Sequence, residues 1–311
     1  MARILFFGQA RFGAAVLDGL LAAGHEPATV CVPPRSEGDR PEDTESRAGE
    51  LGLPVLARRS YKGEDALAET AADTADLGVL AFVTQIIPAA ILDGPRLGSV
   101  CFHPSMLPRY RGGSAVNWQL INGETEGGIT VFRPDDGIDS GPVYLQSPIA
   151  IGPDDSAGSY YYGRVFEPGV KMMLDATELV LAGTAASEVQ DESLATHDPL
   201  CRDEHAAIVW DRPSKALHDL VRGCDPSPGA HSMAGPTMLR LYGSRRPEAA
   251  VEAAGSRPGT VLSIEQDGMR VATADGSLVF AKLRGEGRKG PAGEVATELG
   301  LEAGQVLGGG G

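Results

Sequence analysis

The chain lacks any apolar run approaching the roughly 18 residues of a membrane-crossing helix, so no membrane partner is expected. Its four cysteines, Cys31, Cys101, Cys201 and Cys224, stand far apart and form no Cys-x-x-Cys pair. That spacing argues against a zinc knuckle or a dithiol redox motif, and reduced thiols in a cytoplasmic setting are the expectation. Histidine is scarce, and His25, His197, His205, His218 and His231 show no ligand spacing, so no metal is expected. Positive charge is also short. The 27 Lys and Arg against 42 Asp and Glu leave a formal net charge of −15, whereas a nucleic-acid binder ordinarily carries a basic face. A nucleic-acid partner is therefore disfavoured. The apolar start Met1–Phe7 meets Gly8 too soon for a signal peptide.

What is present is an ordinary globular composition. With 42% hydrophobic residues over 311 positions, a sizeable core and two domains are available. Short apolar runs at Ile4–Phe7, Ala28–Val32, Leu53–Leu56, Val79–Val83 and Ser99–Phe102 read as strands. Helical spacing fills Gly13–Ala23, which Gly24 should stop, and Glu64–Ala72. Alternation of strand and helix predicts an α/β fold with a doubly wound, mostly parallel, Rossmann-like sheet. Gly128–Arg133 and Val143–Ile149 are further strands, followed by a helix from Asp155 or Ser156 to about Ala182, bent or broken near Pro168 and stopped by Gly183.

Residues 1–183 are expected to form the first domain. Residues 184–204 are polar and poorly periodic and read as a linker to a small second domain at 205–311. There a helix at Ser214–Arg222, with Gly223 as its stop, precedes short strands at Met238–Tyr242, Gly259–Ile264, Met269–Thr273 and Ser277–Leu283. Asp267-Gly268 and Asp275-Gly276 are hairpin signals between them, and Gly308–Gly311 reads as a frayed tail.

Two loops carry the chemistry. In Cys101-Phe102-His103-Pro104-Ser105-Met106-Leu107-Pro108-Arg109-Tyr110-Arg111-Gly112-Gly113, His103 directly follows a strand, and Pro104 disfavours the helical region for it. Ligands of open α/β sheets bind beyond the carboxyl ends of the strands, which is where this places His103. Asp139 lies in Asp135-Asp136-Gly137-Ile138-Asp139-Ser140-Gly141. A histidine and a carboxylate on such loops suit general acid–base chemistry. Taken alone, a strand-end histidine or a turn-capping aspartate is as readily structural. Gly8-Gln9-Ala10-Arg11-Phe12-Gly13 has neither the Walker A nor the dinucleotide pattern and reads as a tight strand-to-helix turn.

These two loops resemble those of the folate-dependent formyltransferase superfamily, and most closely the hydrolase domain of 10-formyltetrahydrofolate dehydrogenases; methionyl-tRNA formyltransferases are similar as well. The resemblance runs over nearly the whole chain. It implies 10-formyltetrahydrofolate as formyl donor, His103 and Asp139 as the catalytic pair, and an OB-like C-terminal domain. It also implies a folate pocket. Gln85, Ile86, Ile87 and Leu92 would form one wall, Ser105, Leu107 and Pro108 would belong to the segment matching the family's Ser-Leu-Leu-Pro, and Asp136, Gly137, Ile138 and Gly141 would form the opposite edge. Ordinary packing is the alternative for the apolar members. Arg109 and Arg111 would help hold an anionic folate tail or substrate, or else be solvated loop arginines.

Cys101 departs from the transferase pattern, which has an asparagine two residues before the histidine. A thiol is a weak donor in place of an amide that would hold a developing oxyanion. The dehydrogenase hydrolase domain also lacks that asparagine, which tilts the expectation towards hydrolysis of 10-formyltetrahydrofolate. Cys101 itself reads as a small hydrophobe, with a nucleophile as the alternative. Transfer to an amine (a small metabolite, an amino sugar, an aminoacyl group on a carrier or, less favoured given the acidity, initiator methionyl-tRNA) stays open, as does a folate sensor without turnover. The family's dehydrogenase reaction uses a carrier domain and an aldehyde-dehydrogenase-like domain further along the chain, so no NADP dependence is expected of these residues.

Overall fold

The computed structural model describes residues 1–36, 38–247, 255–266 and 268–308. Asp267 of one expected hairpin turn and the tail beyond Gly308 lie outside the described residues. The first half runs β1 (Arg3–Gly8), α1 (Ala10–Ala22), β2 (Glu26–Val32), α2 (Asp43–Glu50), β3 (Val55–Ala57), α3 (Glu64–Thr70), β4 (Leu77–Ala81), α4 (Ala89–Leu92), β5 (Ser99–His103) and α5 (Ala115–Ile121). Then come β6 (Glu126–Phe132), β7 (Val143–Ala150), α6 (Ala157–Tyr160) and α7 (Phe166–Leu181).

The seven strands form one sheet in the order β3-β2-β1-β4-β5-β6-β7. Pairing is parallel from β3 to β5 and turns antiparallel between β5 and β6. The order reverses at β1, with β2 on one side and β4 on the other, as expected of a doubly wound sheet. Residues 4–8 of β1 and all of β4 are buried, because strands covered on both faces need apolar side chains on both. Helix α1 presents Phe12, Val16, Leu17 and Leu20 inward at helical spacing. A Cβ on Gly13 would stand 3.1 Å from the Gly8 backbone, so glycine here lets α1 leave β1 through a tight turn.

Packing divides the chain differently from its order. One compact unit comprises residues 1–113, 128–149 and 163–198; the other comprises 114–127, 150–162 and 199–311. The second unit thus contains α5 and α6 besides α8 (Ser214–Gly223), β8 (His231–Ala234), β9 (Thr237–Arg245), β10 (Val261–Glu265), β11 (Gly268–Ala272), β12 (Ser277–Arg284), β13 (Gly290–Pro291) and α9 (Ala292–Glu298). Its antiparallel sheet runs β10-β11-β12-β9-β8, with β13 on β12. Leu217, Val221, Leu239, Leu241, Val271 and Phe280 form the centre of its core.

Two local expectations need correction, and two elements were missed. The helix after Ser156 is interrupted by a π-helical turn at Tyr161–Val165, ahead of Pro168, which sits in the first turn of α7 where a missing N–H costs least. Gly223 does not act as a left-handed stop; it is the last residue of α8, with Cys224 as cap. A Cβ there would meet the Ile121 backbone nitrogen at 2.8 Å, so its smallness allows α5 and α8 to cross closely. Strand β8 and helix α9, short and weakly patterned, escape the sequence reading. The Asp275-Gly276 turn forms as expected between β11 and β12, and its carboxylate accepts from the Ser214 amide at the start of α8.

Helix α5 depends on partners late in the chain. Asn117 Nδ2 donates to the carbonyls of Gly223 at 2.7 Å and Ser227 at 3.1 Å, and the Trp118 indole donates to Pro199 O at 2.7 Å. A chain ending at residue 204 loses the first two of these. Limited proteolysis should then cut within 114–127 and should spare that segment in the full chain. Equal protection in both would show that α5 is held by other contacts.

Candidate active site

Strand β5 delivers His103 to the sheet rim, 5% exposed. Its Nε2 lies 2.7 Å from the Tyr110 carbonyl oxygen. A carbonyl can only accept, so Nε2 carries the hydrogen and Nδ1 faces the other way. Nδ1 stands 3.4 Å from Asp139 Oδ2. That same oxygen accepts from the Gly112 amide at 2.8 Å. Histidine and aspartate, far apart in sequence, are thus brought together, and each is held by the short backbone stretch Tyr110–Gly112.

Asp139 adopts φ +53° and Tyr110 φ +60°. The left-handed region costs a non-glycine residue about 1 kcal/mol, so both conformations must be imposed by neighbours. The segment before residue 199 does this. Thr196 Oγ1 accepts from the Tyr110 amide at 2.7 Å, and Thr196 O accepts from the Arg111 amide at 3.0 Å. Val143 and Glu188 exchange both backbone hydrogen bonds, at 2.8 and 2.9 Å. Gln190 donates to the carbonyls of Asp139 and Gly141. The stretch read as a linker is therefore part of the site's framework. Nothing in its composition marks it, because its hydrogen-bond partners, mostly backbone, lie far away in sequence.

Arg111 also departs from expectation. It is 2% exposed, paired bidentately with Glu192 at 2.6 and 2.9 Å and bonded to Gln190 Oε1. It is neither a solvated loop arginine nor one turned towards a ligand. Arg109 is exposed, its guanidinium 5.3 Å from the centre of the Tyr110 ring.

Ser105 is fully buried and donates to Arg109 O at 2.7 Å, closing the loop on itself. The Leu107 carbonyl accepts from Gln146 Nε2 at 2.9 Å, and Thr130 Oγ1 ties the same loop to β6 by donating to Ser105 O at 2.7 Å. Pro108, between these anchors, is half-buried.

Ile87 and Leu92 belong to the core with Leu5, Phe7 and Leu80, so packing accounts for much of their character. Gln85 is half-buried and donates to Arg58 O at 2.8 Å. By contrast Ile86 is 72% and Ile138 58% exposed. Asp136 and Gly137 are exposed, and the loop is braced by Asp135, whose carboxylate accepts from the Gly137 amide and the Ser140 hydroxyl. A cavity of about 340 Å³ lies between Ala89, Leu92 and Asp93 on one side and Arg133, Asp135 and Asp136 on the other. That volume is within the range of small-molecule sites. No cluster of His, Cys, Asp and Glu able to hold a metal occurs among the described residues.

Cys101 is paired in register with Phe132, two residues before His103. Burial, and then the Asp139 carboxylate, push its thiol well above the ordinary value. At neutral pH it is a thiol, a poor nucleophile and a weak donor.

The sequence profile described as formyl transferase matches residues 2–177, and that of the formyl transferase C-terminal domain matches residues 201–296. The chain belongs to the formyl transferase family. It is 38% identical over 247 residues to the cytosolic 10-formyltetrahydrofolate dehydrogenase of Xenopus tropicalis, which covers 78% of the chain but only 27% of that relative. It is 34% identical over 312 residues to the methionyl-tRNA formyltransferase of Geobacter sulfurreducens, covering 98% of the chain and 96% of the relative. The structure of HypX from Aquifex aeolicus in complex with tetrahydrofolic acid shares the fold, with a TM-score of 0.70 over 97% of the chain and 48% of HypX, at 21% identity. The chain thus spans about a quarter of the dehydrogenase relative. Enzymes of this family use formyltetrahydrofolate as formyl donor.

Two measurements follow from this geometry. Alkylation of Cys101 by iodoacetamide should be slow at pH 7 and accelerate only under alkaline conditions, and Asp139→Asn should speed it by removing a charge that opposes the thiolate. Rapid labelling at pH 7 would restore Cys101 as a nucleophile. In Gly141→Ala, the new Cβ would fall 1.8 Å from Arg133 O, a backbone atom that cannot move cheaply. Thermal or urea unfolding should show a loss of about 1–3 kcal/mol.

Proposed function

We propose that the protein hydrolyses 10-formyltetrahydrofolate to tetrahydrofolate and formate. The observation that carries this reading is the His103–Asp139 pair beside a protonated Cys101 thiol in place of an amide side chain. Asp139, with its side chain 20% exposed against 6% for His103, is the member that a nucleophile can reach. A water O–H donates to the Asp139 carboxylate as its oxygen attacks the formyl carbon. The tetrahedral adduct then collapses, breaking the bond between carbon and folate nitrogen. The abstracted proton passes to that nitrogen through Nδ1 of His103, which faces Asp139, while Tyr110 O holds the ring at Nε2. Water thereby supplies one proton to the departing nitrogen and its oxygen to formate.

The cavity at Leu92 and Asp136 is assigned to the folate ring. Exposed Ile86 and Ile138 offer apolar faces with few neighbours, as a flat heterocycle would need. Pro108 and the backbone of Leu107 and Ser105 border the same loop. Arg109, exposed, is assigned to the anionic tail. Arg111 is assigned a structural part.

Transfer to an amine is the second reading, favoured by the end-to-end match to a methionyl-tRNA formyltransferase. An amine would then replace water at Asp139. The net charge of −15 weighs against tRNA as the acceptor and towards a small amine or a carrier-bound group.

Anaerobic turnover of 10-formyltetrahydrofolate without acceptor should release tetrahydrofolate and formate. His103→Ala and Asp139→Ala should each lower the rate on the order of a hundredfold or more. Tight folate binding with negligible release would reject hydrolysis in favour of transfer. Near-normal rates in either variant would sink the assigned roles. Cys101→Asn should raise formyl transfer to added amines relative to hydrolysis; an unchanged ratio would mean that backbone groups already hold the oxyanion.

A further inference from the structure

Gln190 is 8% exposed, and its amide points wholly inward. Oε1 accepts from Arg111 Nη2 at 2.8 Å and Nε at 3.3 Å, while Nε2 donates to Gly141 O at 2.7 Å and Asp139 O at 2.9 Å. Guanidinium nitrogens only donate and carbonyls only accept, so the orientation of the amide is unambiguous. We propose that Gln190 is a positioning residue that holds Asp139 in its left-handed conformation and so aims its carboxylate at His103.

This inference rests on the reading of Asp139 as the proton acceptor, and its physical basis is local. The Asp139–Ser140 and Gly141–Pro142 peptide units are clamped by one amide group, which fixes the turn on which Asp139 sits. Without the donor, two carbonyls lose their partner and the cost of φ +53° is no longer offset. Rotation of the Asp139 backbone would carry Oδ2 away from both the Gly112 amide and His103 Nδ1. Arg111 holds the other end of Gln190, and Glu192 balances the buried guanidinium charge. The loop after β5 and the loop before β7 are thereby joined twice, once by the Gly112–Asp139 bond and once through Gln190.

Gln190→Glu tests this, because it keeps the shape and the acceptor for Arg111 but replaces the donor with an oxygen facing two carbonyls. Gln190→Met removes the donor without adding charge and is measured alongside in case the Glu variant fails to fold. Val189→Ala, at a neighbouring and exposed residue, is the control. Steady-state hydrolysis of 10-formyltetrahydrofolate should show kcat lowered on the order of ten- to a hundredfold. KM should stay within about twofold. Amide hydrogen exchange should rise at 110–113 and 134–142 and not elsewhere. A kcat within about twofold of the parent overturns the proposal, as does a loss shared equally by Val189→Ala. If the parent itself shows no turnover, the functional reading fails separately. Exchange then decides: a rise confined to those two segments supports positioning by Gln190, and unchanged exchange overturns it.

Discussion

Everything at the candidate site depends on three consecutive residues. The Tyr110 carbonyl fixes the imidazole of His103, the Gly112 amide fixes the carboxylate of Asp139, and the Arg111 side chain between them reaches back into the protein to Gln190 and Glu192. One short stretch of backbone therefore sets the distance between two groups that come from different loops. Hydrogen bonds of this kind are individually modest, but a buried polar group left without its partner is costly. The arrangement is accordingly rigid, which is what proton transfer between positioned groups requires.

The sheet supplies the platform for this stretch. Buried parallel strands leave their carboxyl ends as a common rim, and β5 ends with His103 at that rim. The change to antiparallel pairing between β5 and β6 sends β6 back alongside β5, with Phe132 opposite Cys101, and the loop that follows folds back so that Asp139 reaches His103. The seat of Cys101 follows from the same register, and burial together with the Asp139 charge keeps its thiol protonated. Under the function proposed above, acid–base groups without an amide beside them move protons around a formyl carbon. Such a site is less suited to stabilising an oxyanion through a side chain.

Much of this was legible before any coordinates. Periodicity located β1, α1, β2, β4 and β5, because burial on both faces of a parallel strand and on one face of a helix leaves a pattern in the side chains. His103 and Asp139 were legible through their loops. Arg111 was visible as a residue but not as a buried ion pair, since burial of a charge depends on a partner 81 positions away. Gln190 and Thr196 were invisible, because their partners, the backbone at Tyr110, Asp139 and Gly141 and the Arg111 side chain, lie far away in sequence and leave no local pattern. Pro168 and Gly223 were seen but misread, since each residue type has more than one structural use.

The amino-acid sequence by itself determined the α/β class, the strand that carries His103, the family, and the thiol of Cys101 two residues before that histidine. These rest on local patterning and side-chain identity, which the chain states directly. The tertiary structure alone decided that α5 packs with the C-terminal unit, that the segment before residue 199 braces the site, and that His103 presents Nδ1 to Asp139. Those outcomes depend on hydrogen bonds and close approaches between residues distant in sequence, and only the folded chain brings such partners within reach.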